Sequence, residues 1–184
     1  GDWSSDVCSS DLDMQVYNPV DSYNIGVDET HIYNQPSTSA VFVQAVLGQD
    51  PSSVLGQLTA NGQVWILNPS GVLIGADARI NTAAFVASSL TMGEDDFFAG
   101  RYDLEQSGDG GFVINKGSIN VANGGYAILA GASVVNDGYI TADDGEVILA
   151  AGKKMAFDFD GDGMINFAVD EAVAAEIIGP NGAE

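Results

Sequence analysis

Short apolar runs recur along the chain between clusters of turn residues, and helical periods are rare. AVFVQAVL (Ala40–Leu47), QVWIL (Gln63–Leu67), GVLIG (Gly71–Gly75), FVASSL (Phe85–Leu90), GFVIN (Gly111–Asn115) and EVILAA (Glu146–Ala151) each have the length and composition of a strand. Two segments depart from the pattern. PSSVLGQL (Pro51–Leu58) sets Pro and two Ser before an apolar pair, which predicts a one-turn helix start. DEAVAAEII (Asp170–Ile178) predicts a short helix near the end.

The strand pattern repeats. Ile114–Val134 aligns without gaps to Val135–Met155 at an offset of 21 residues. Identities fall at Asn115/Asn136, Gly117/Gly138, Ile119/Ile140, Gly124/Gly145, Ala130/Ala151 and Gly131/Gly152, all of them turn residues or strand apolars. Two or three strands in a period of this length fit one coil of a parallel β-helix. Equal positions of successive coils then lie about 4.8 Å apart, and apolar residues form interior columns. Asn115 over Asn136 predicts an amide ladder. A single coil cannot bury its own apolar face, so both ends of such a stack need covering. Pro51–Leu58 and the C-terminal segment are the candidate covers.

Composition narrows the function. The 184 residues suffice for one domain with a sizeable core. Glycine, at 23 residues, exceeds the usual share of about 7% and fits a chain of many tight turns. The 26 acidic residues against 5 basic ones give a net charge of −21, which repels nucleic acid and anionic membranes. No run of eighteen apolar residues occurs, so no transmembrane segment is expected. The first twelve residues, GDWSSDVCSSDL, carry no apolar period and read as a translated sequencing adapter. Setting residues 1–12 aside removes the single cysteine, Cys8, together with Asp2, Asp6 and Asp11, and leaves a net charge of −18.

The stretch Pro36–Leu90, above all LGQLTANGQVWILNPSGVLIG with ARI (Ala78–Ile80) and FVAS (Phe85–Ser88) after it, resembles the N-terminal secretion domain of two-partner-secreted, filamentous-haemagglutinin-like adhesins and haemolysins. The resemblance runs through the 21-residue repeats and on to Glu171. It implies an all-β fold, a right-handed parallel β-helix with capping strands and short extra-helical elements. Residues 13–184 are then a single secretion domain, truncated at both ends of a larger exoprotein. The implied function is to be recognised by the periplasmic domains of a partner outer-membrane β-barrel transporter and to seed folding of the β-helix. The implied location is the secreted medium or cell surface of a Gram-negative bacterium, reached through the periplasm, with host or surface ligands bound by the rest of the exoprotein. No catalysis and no cofactor are implied.

NPSG (Asn68, Pro69, Ser70, Gly71) resembles the family's Asn-Pro-Asn-Gly motif, with Ser70 in place of Asn; the family's second motif, Asn-Pro-Asn-Leu, is not found. Pro69 sets φ, Gly71 can take positive φ, and Asn68 can bond back to the turn backbone, which makes a tight turn between stacked strands. Ser70 tolerates positive φ less well than Asn. Two roles stay open for the motif: a turn that permits stacking, or a contact for the transporter.

Other chemistry is thin. DFDGDGMINF (Asp158–Phe167) places Asp158, Asp160 and Asp162 as the early ligands of an EF-hand loop, but Val169 stands where a bidentate Glu is wanted. A hairpin turn is the expectation, with the three Asp as weak metal candidates only. The alternative class is a β-helical carbohydrate-binding or polysaccharide-lyase fragment, which needs clustered acids beside a basic residue. Arg79, Arg101, Lys116, Lys153 and Lys154 are the only basic residues, and they read as surface charges. His31 is the only histidine and reads as a strand surface residue. The aromatics Tyr17, Tyr23, Tyr33, Trp65, Phe85, Tyr102 and Tyr126 share no single spacing and read as packing residues.

Overall fold

The structure is a computed structural model that describes residues 15–159 and the backbone of residues 166–170. The chain winds as a parallel β-helix. β1 (Gln15–Val20), β2 (Thr30–Tyr33) and β3 (Val41–Val46) begin the stack. β4 (Ser52–Val54), β5 (Gln57–Ala60) and β6 (Gln63–Leu67) make the next coil. β7 (Gly71–Ile74), β8 (Arg79–Thr82) and β9 (Ala84–Ser88) make the one after. An excursion then leaves the coil as β10 (Leu90–Thr91), α1 (Glu94–Phe98) and β11 (Tyr102–Gln106). The stack resumes with β12 (Phe112–Asn115), β13 (Ser118–Val121) and β14 (Tyr126–Gly131), then β15 (Ser133–Asn136), β16 (Tyr139–Ala142) and β17 (Glu146–Ala151). β18 (Lys154–Asp158) and β19 (Asn166–Asp170) pair antiparallel.

Successive coils lay their strands into three parallel sheets, β1-β3-β6-β9-β14-β17, β4-β7-β12-β15 and β2-β5-β8-β13-β16. A fourth sheet, β10-β11-β18-β19, is antiparallel. The excursion is closed at its base by the Ser89 hydroxyl, which donates to the Gly111 carbonyl at 2.9 Å. About twenty residues are thereby inserted while β12 still takes its place against β7.

The sheets differ in burial, and the sequence of each follows from that. Strands of the five-stranded sheet alternate: Gln57, Arg79 and Asn81 face solvent while Leu58, Ile80 and Ile119 are buried. This is the period-2 pattern of a sheet with one wet face. The central strands of the six-stranded sheet, β3, β6, β9 and β14, read as nearly continuous apolar runs because both of their faces are covered; all six residues of β3 are buried. Its inner face, with Phe42, Val64, Ile66, Phe85 and Leu129, joins Leu58, Ile80 and Val113 in the interior of the helix. Its outer face, with Val43, Trp65, Val86 and Ile128, packs under Leu90, Met92, Phe97, Leu104 and Met155 of the excursion and β18. Trp65 is the hub of this second core, 5.7 Å from Phe97 and 5.3 Å from Tyr102 in T-shaped contacts. Its indole N–H donates to the Tyr126 hydroxyl at 3.1 Å, and that hydroxyl donates to Gln63.

The first coil has a polar interior. Asn18 Nδ2 donates to Gln44 Oε1 and Gln44 Nε2 to the Tyr33 hydroxyl, each at 2.9 Å. Tyr33 in turn shares a 2.9 Å bond with Tyr23. His31 also turns inward, half-buried and 3.3 Å from the Tyr23 hydroxyl, rather than facing solvent as its position in the sequence suggests. Ile32 takes the outer side.

Several expectations need correction. Pro51–Leu58 is no helix start and no cover; it holds β4 and the start of β5, where parallel pairing to β7 and β8 outweighs the local N-cap signal. The 21-residue register holds only for half a coil. Asn115 lies opposite Asn136 and Ser118 opposite Tyr139, but Tyr126 lies opposite Glu146, 20 residues on. The corner Ala122–Gly125 has four residues where Asp143–Gly145 has three, so Gly131 sits over Ala151 and not Gly152. The short helix α1 is one of the extra-helical elements that the resemblance implies, at a place no residue pattern marks. Its three leading acids, Glu94, Asp95 and Asp96, suit the positive end of the helix dipole, and Phe97 anchors it in the second core. Asp170 closes strand β19; the rest of the helix expected at Asp170–Ile178 lies outside the described residues.

Ile80→Ala should cost about 2–5 kcal/mol, because it opens a cavity at an interior position. Its exposed neighbour Arg79→Ala should stay within about 0.5 kcal/mol. Urea unfolding of the two variants checks the assignment of faces.

Alkaline pH should unfold the protein. Burial raises the hydroxyl of Tyr126, and those of Tyr23 and Tyr33, above the ordinary 10.0. The folded chain holds neutral phenols that the unfolded chain ionises near pH 10. This contribution is therefore complete below about pH 10 and lost above it. Tyrosinate absorbance should rise together with loss of circular dichroism; a titration near pH 10 with the dichroism intact would contradict the packing.

Candidate functional site

The Asn68–Gly71 turn joins β6 to β7. These strands belong to different sheets, so the turn is a corner of one coil and not a link between stacked strands. The corner before it, in the preceding coil, is residues 47–51; the corner after it is where the excursion leaves the helix.

Asn68 is fully buried and binds all three corners. Its side-chain amide donates to the Asp50 carbonyl and to the Ser52 hydroxyl, both at 3.0 Å. Its Oδ1 accepts from Ser70 N at 2.9 Å, and its backbone carbonyl accepts from Gly71 N at 2.9 Å, closing the turn. Its backbone N–H donates to Ser88 O of the next coil at 2.9 Å. Gly71 has φ of +120°, and a Cβ there would stand 2.8 Å from the Phe112 carbonyl. On the other side a Cβ on Gly111 would meet the Pro69 carbonyl at 2.6 Å, so both glycines serve close approach of backbones. Ser70 is not at positive φ, so its difference from Asn stores no backbone strain. Pro69 and Ser70 are the half-buried members of the turn and present its outer surface.

Beside the turn opens a cleft of about 530 Å³ between the corner edge of the six-stranded sheet and the excursion. Leu47, Leu67, Pro69 and Met92 line one part of it; Asp96, Asp103 and Glu105 line another.

Residues 12–178 match the TPS secretion domain family. The chain belongs to that family. Over 166 residues it is 31% identical to a heme/hemopexin-binding protein of Haemophilus influenzae, a match covering 85% of this chain and 18% of that protein. A second heme/hemopexin-binding protein from the same species is 40% identical over 68 residues, covering 37% of this chain and 7% of that protein. The crystal structure of the HMW1 secretion domain from Haemophilus influenzae superposes with a TM-score of 0.75 at 31% identity, covering 91% of this chain and 46% of that one. The chain thus spans about a fifth of the length of the first relative. It is a secretion-recognition domain of the two-partner-secretion type. The family is one of secretion domains and not of enzymes.

The other sequence candidates fall elsewhere. Asn115 is buried, its Nδ2 donates to Asn136 Oδ1 at 2.8 Å, and its own Oδ1 accepts from Gly117 N at 3.0 Å. Asn136 is exposed on β15, and on the other side of Asn115 stands Ile74, so among the described residues this ladder has two rungs. Asp158 is exposed at the end of β18, while Asp160 and Asp162 lie outside the described residues. Among the described residues no group of three His, Cys, Asp or Glu could hold a metal ion, and no helix is long and apolar enough to cross a membrane. Sequence reasoning missed the cleft, because its two sides come from the corners near residues 47 and 69 and from the excursion folded back over them.

Asn68→Ala should cost about 1–3 kcal/mol, since it leaves buried polar groups unpaired. Gly71→Ala should cost more than about 2 kcal/mol from positive φ and backbone contact. Ser70→Asn should stay within about 0.5 kcal/mol. Denaturant midpoints of the three variants rank them.

Proposed function

We propose that this domain is read by the periplasmic domains of a partner outer-membrane β-barrel transporter, on an exoprotein that a signal peptide has brought to the periplasm of a Gram-negative bacterium. In this reading the Asn68–Gly71 turn has two parts. Asn68 and Gly71 build the corner, and Pro69 and Ser70 present it to the transporter. The observation that carries the reading is the secretion-family match over residues 12–178 in a fold that sets this turn at the surface of a stack corner. The domain also seeds the β-helix of the exoprotein. Among the described residues, the interior-facing Val147 and Leu149 of β17 are 45% and 50% exposed, and a further coil stacked on them would cover them. Adhesion to host or surface ligands belongs to the rest of the exoprotein, and the domain itself needs no cofactor.

The test is export. The chain is placed behind a Sec signal peptide, expressed with the transporter encoded beside its gene, and followed by blotting the medium. Transporter-dependent release is the expected result. Pro69→Ala with Ser70→Ala should remain folded in the periplasm and lose most of the release. Retention of the parent chain, folded, in the periplasm would overturn the secretion role.

A further inference from the structure

The cleft beside the turn brings apolar and acidic side chains together. Its floor is apolar, formed by the outer-facing ends of β3 and β6 and by Met92 of the excursion. Leu47 stands at its mouth with 68% of its surface exposed, next to the half-buried Pro69. The other side carries three carboxylates, Asp96, Asp103 and Glu105. Two of these hold internal cations. Asp96 binds Arg101 at 2.7 Å and Glu105 binds Lys154 at 2.8 Å, in pairs that are half-exposed and weakly held. Asp103 forms no ion pair among the described residues.

The charge selects the occupant. A second copy of a chain with net charge −21 would bring more carboxylates to a rim that already has three, and nucleic acid would be repelled for the same reason. A segment with an apolar side chain next to a cation satisfies both sides at once. The apolar group covers Leu47 and the floor, and the cation meets Asp103 or displaces Arg101 or Lys154 from its partner. A cleft of this volume is in the range that takes a few side chains. Because it shares Pro69 with the turn, an occupant of the cleft also touches the turn.

We infer that this cleft is the docking groove for the transporter, and that it takes a transporter segment carrying an apolar side chain beside a lysine or arginine. The inference rests on the proposal that the domain is read by the transporter, and adds the groove and the chemistry of the segment.

Binding of the 184-residue chain to the detergent-solubilised transporter, at 50 and 300 mM salt, tests it. Leu47→Ser and Asp103→Lys change exposed side chains and should leave the melting temperature within a few degrees of the parent. Each should weaken binding at least tenfold, and Asp103→Lys should also flatten the salt dependence. Asp137→Lys makes the same change of charge on the last coil, away from the cleft, and should leave affinity within twofold. Parent-like binding by Leu47→Ser, or equal losses in Asp103→Lys and Asp137→Lys, would overturn the groove while leaving recognition by the transporter in place. Failure of the parent chain to bind at all would overturn both.

Discussion

Strands β3, β6, β9 and β14 of the six-stranded sheet are covered on both faces, and the rest of the molecule is arranged around that fact. A parallel β-helix needs only the inner face of each sheet for its core. Here the outer face is apolar as well, and Trp65, Val86 and Ile128 would lie in water without the excursion and β18 over them. The antiparallel sheet is therefore an obligatory second layer. Tyr17 ties its near end to the stack, donating its hydroxyl to the Met92 carbonyl at 2.9 Å. The two-sided burial also explains the contrast between the unbroken runs of β3, β6, β9 and β14 and the alternation in β5, β8 and β13.

A second layer on one sheet creates an edge where that layer begins. The excursion leaves at the corner one coil beyond the Asn68–Gly71 turn, so the turn, the corner before it and the root of the excursion lie along one side of the stack. Asn68 binds these levels together through Asp50, Ser52 and Ser88. Its amide orientation follows from its partners: Oδ1 faces an N–H, and Nδ2 faces a carbonyl and a hydroxyl. The cleft is the gap left where the excursion arches away from this edge. Ala45 and Leu67 at its floor belong to the same outer face that forms the second core.

Much of this was legible in the sequence. The strands, the coil repeat and the turn could be read because each is local or periodic: an apolar run, a glycine after a run, an Asn one coil above another. The family resemblance rested on a contiguous stretch, and the family match bears it out. What could not be read depends on contacts distant in sequence. The one-residue slip arises because the corner between β16 and β17 is one residue shorter than the corner between β13 and β14, and a gap-free alignment at 21 hides it. The Ser residues before Val54 look like a helix start until β7 pairs beside them. The inward turn of His31 follows from its parity with Tyr33 in β2, which a short polar strand does not reveal. The cleft joins β3 and β6 to β11, segments about forty to sixty residues apart.

Recognition and folding meet at this corner in a way that decides which residues can tell them apart. Asn68 is buried, and every polar group of its side chain is bonded within the chain, so it has nothing left to offer a partner. A partner reading this corner would touch Pro69, Ser70 and the neighbouring Leu47, whose positions exist only once three coils are in register. Sensing the corner would then amount to sensing a nucleated stack, although the residues that make the stack lie beneath the surface being sensed. Loss of Asn68 damages support and signal together. Changes at Ser70, Leu47 or Asp103 leave the support in place, and only these separate a contact surface from a structural turn.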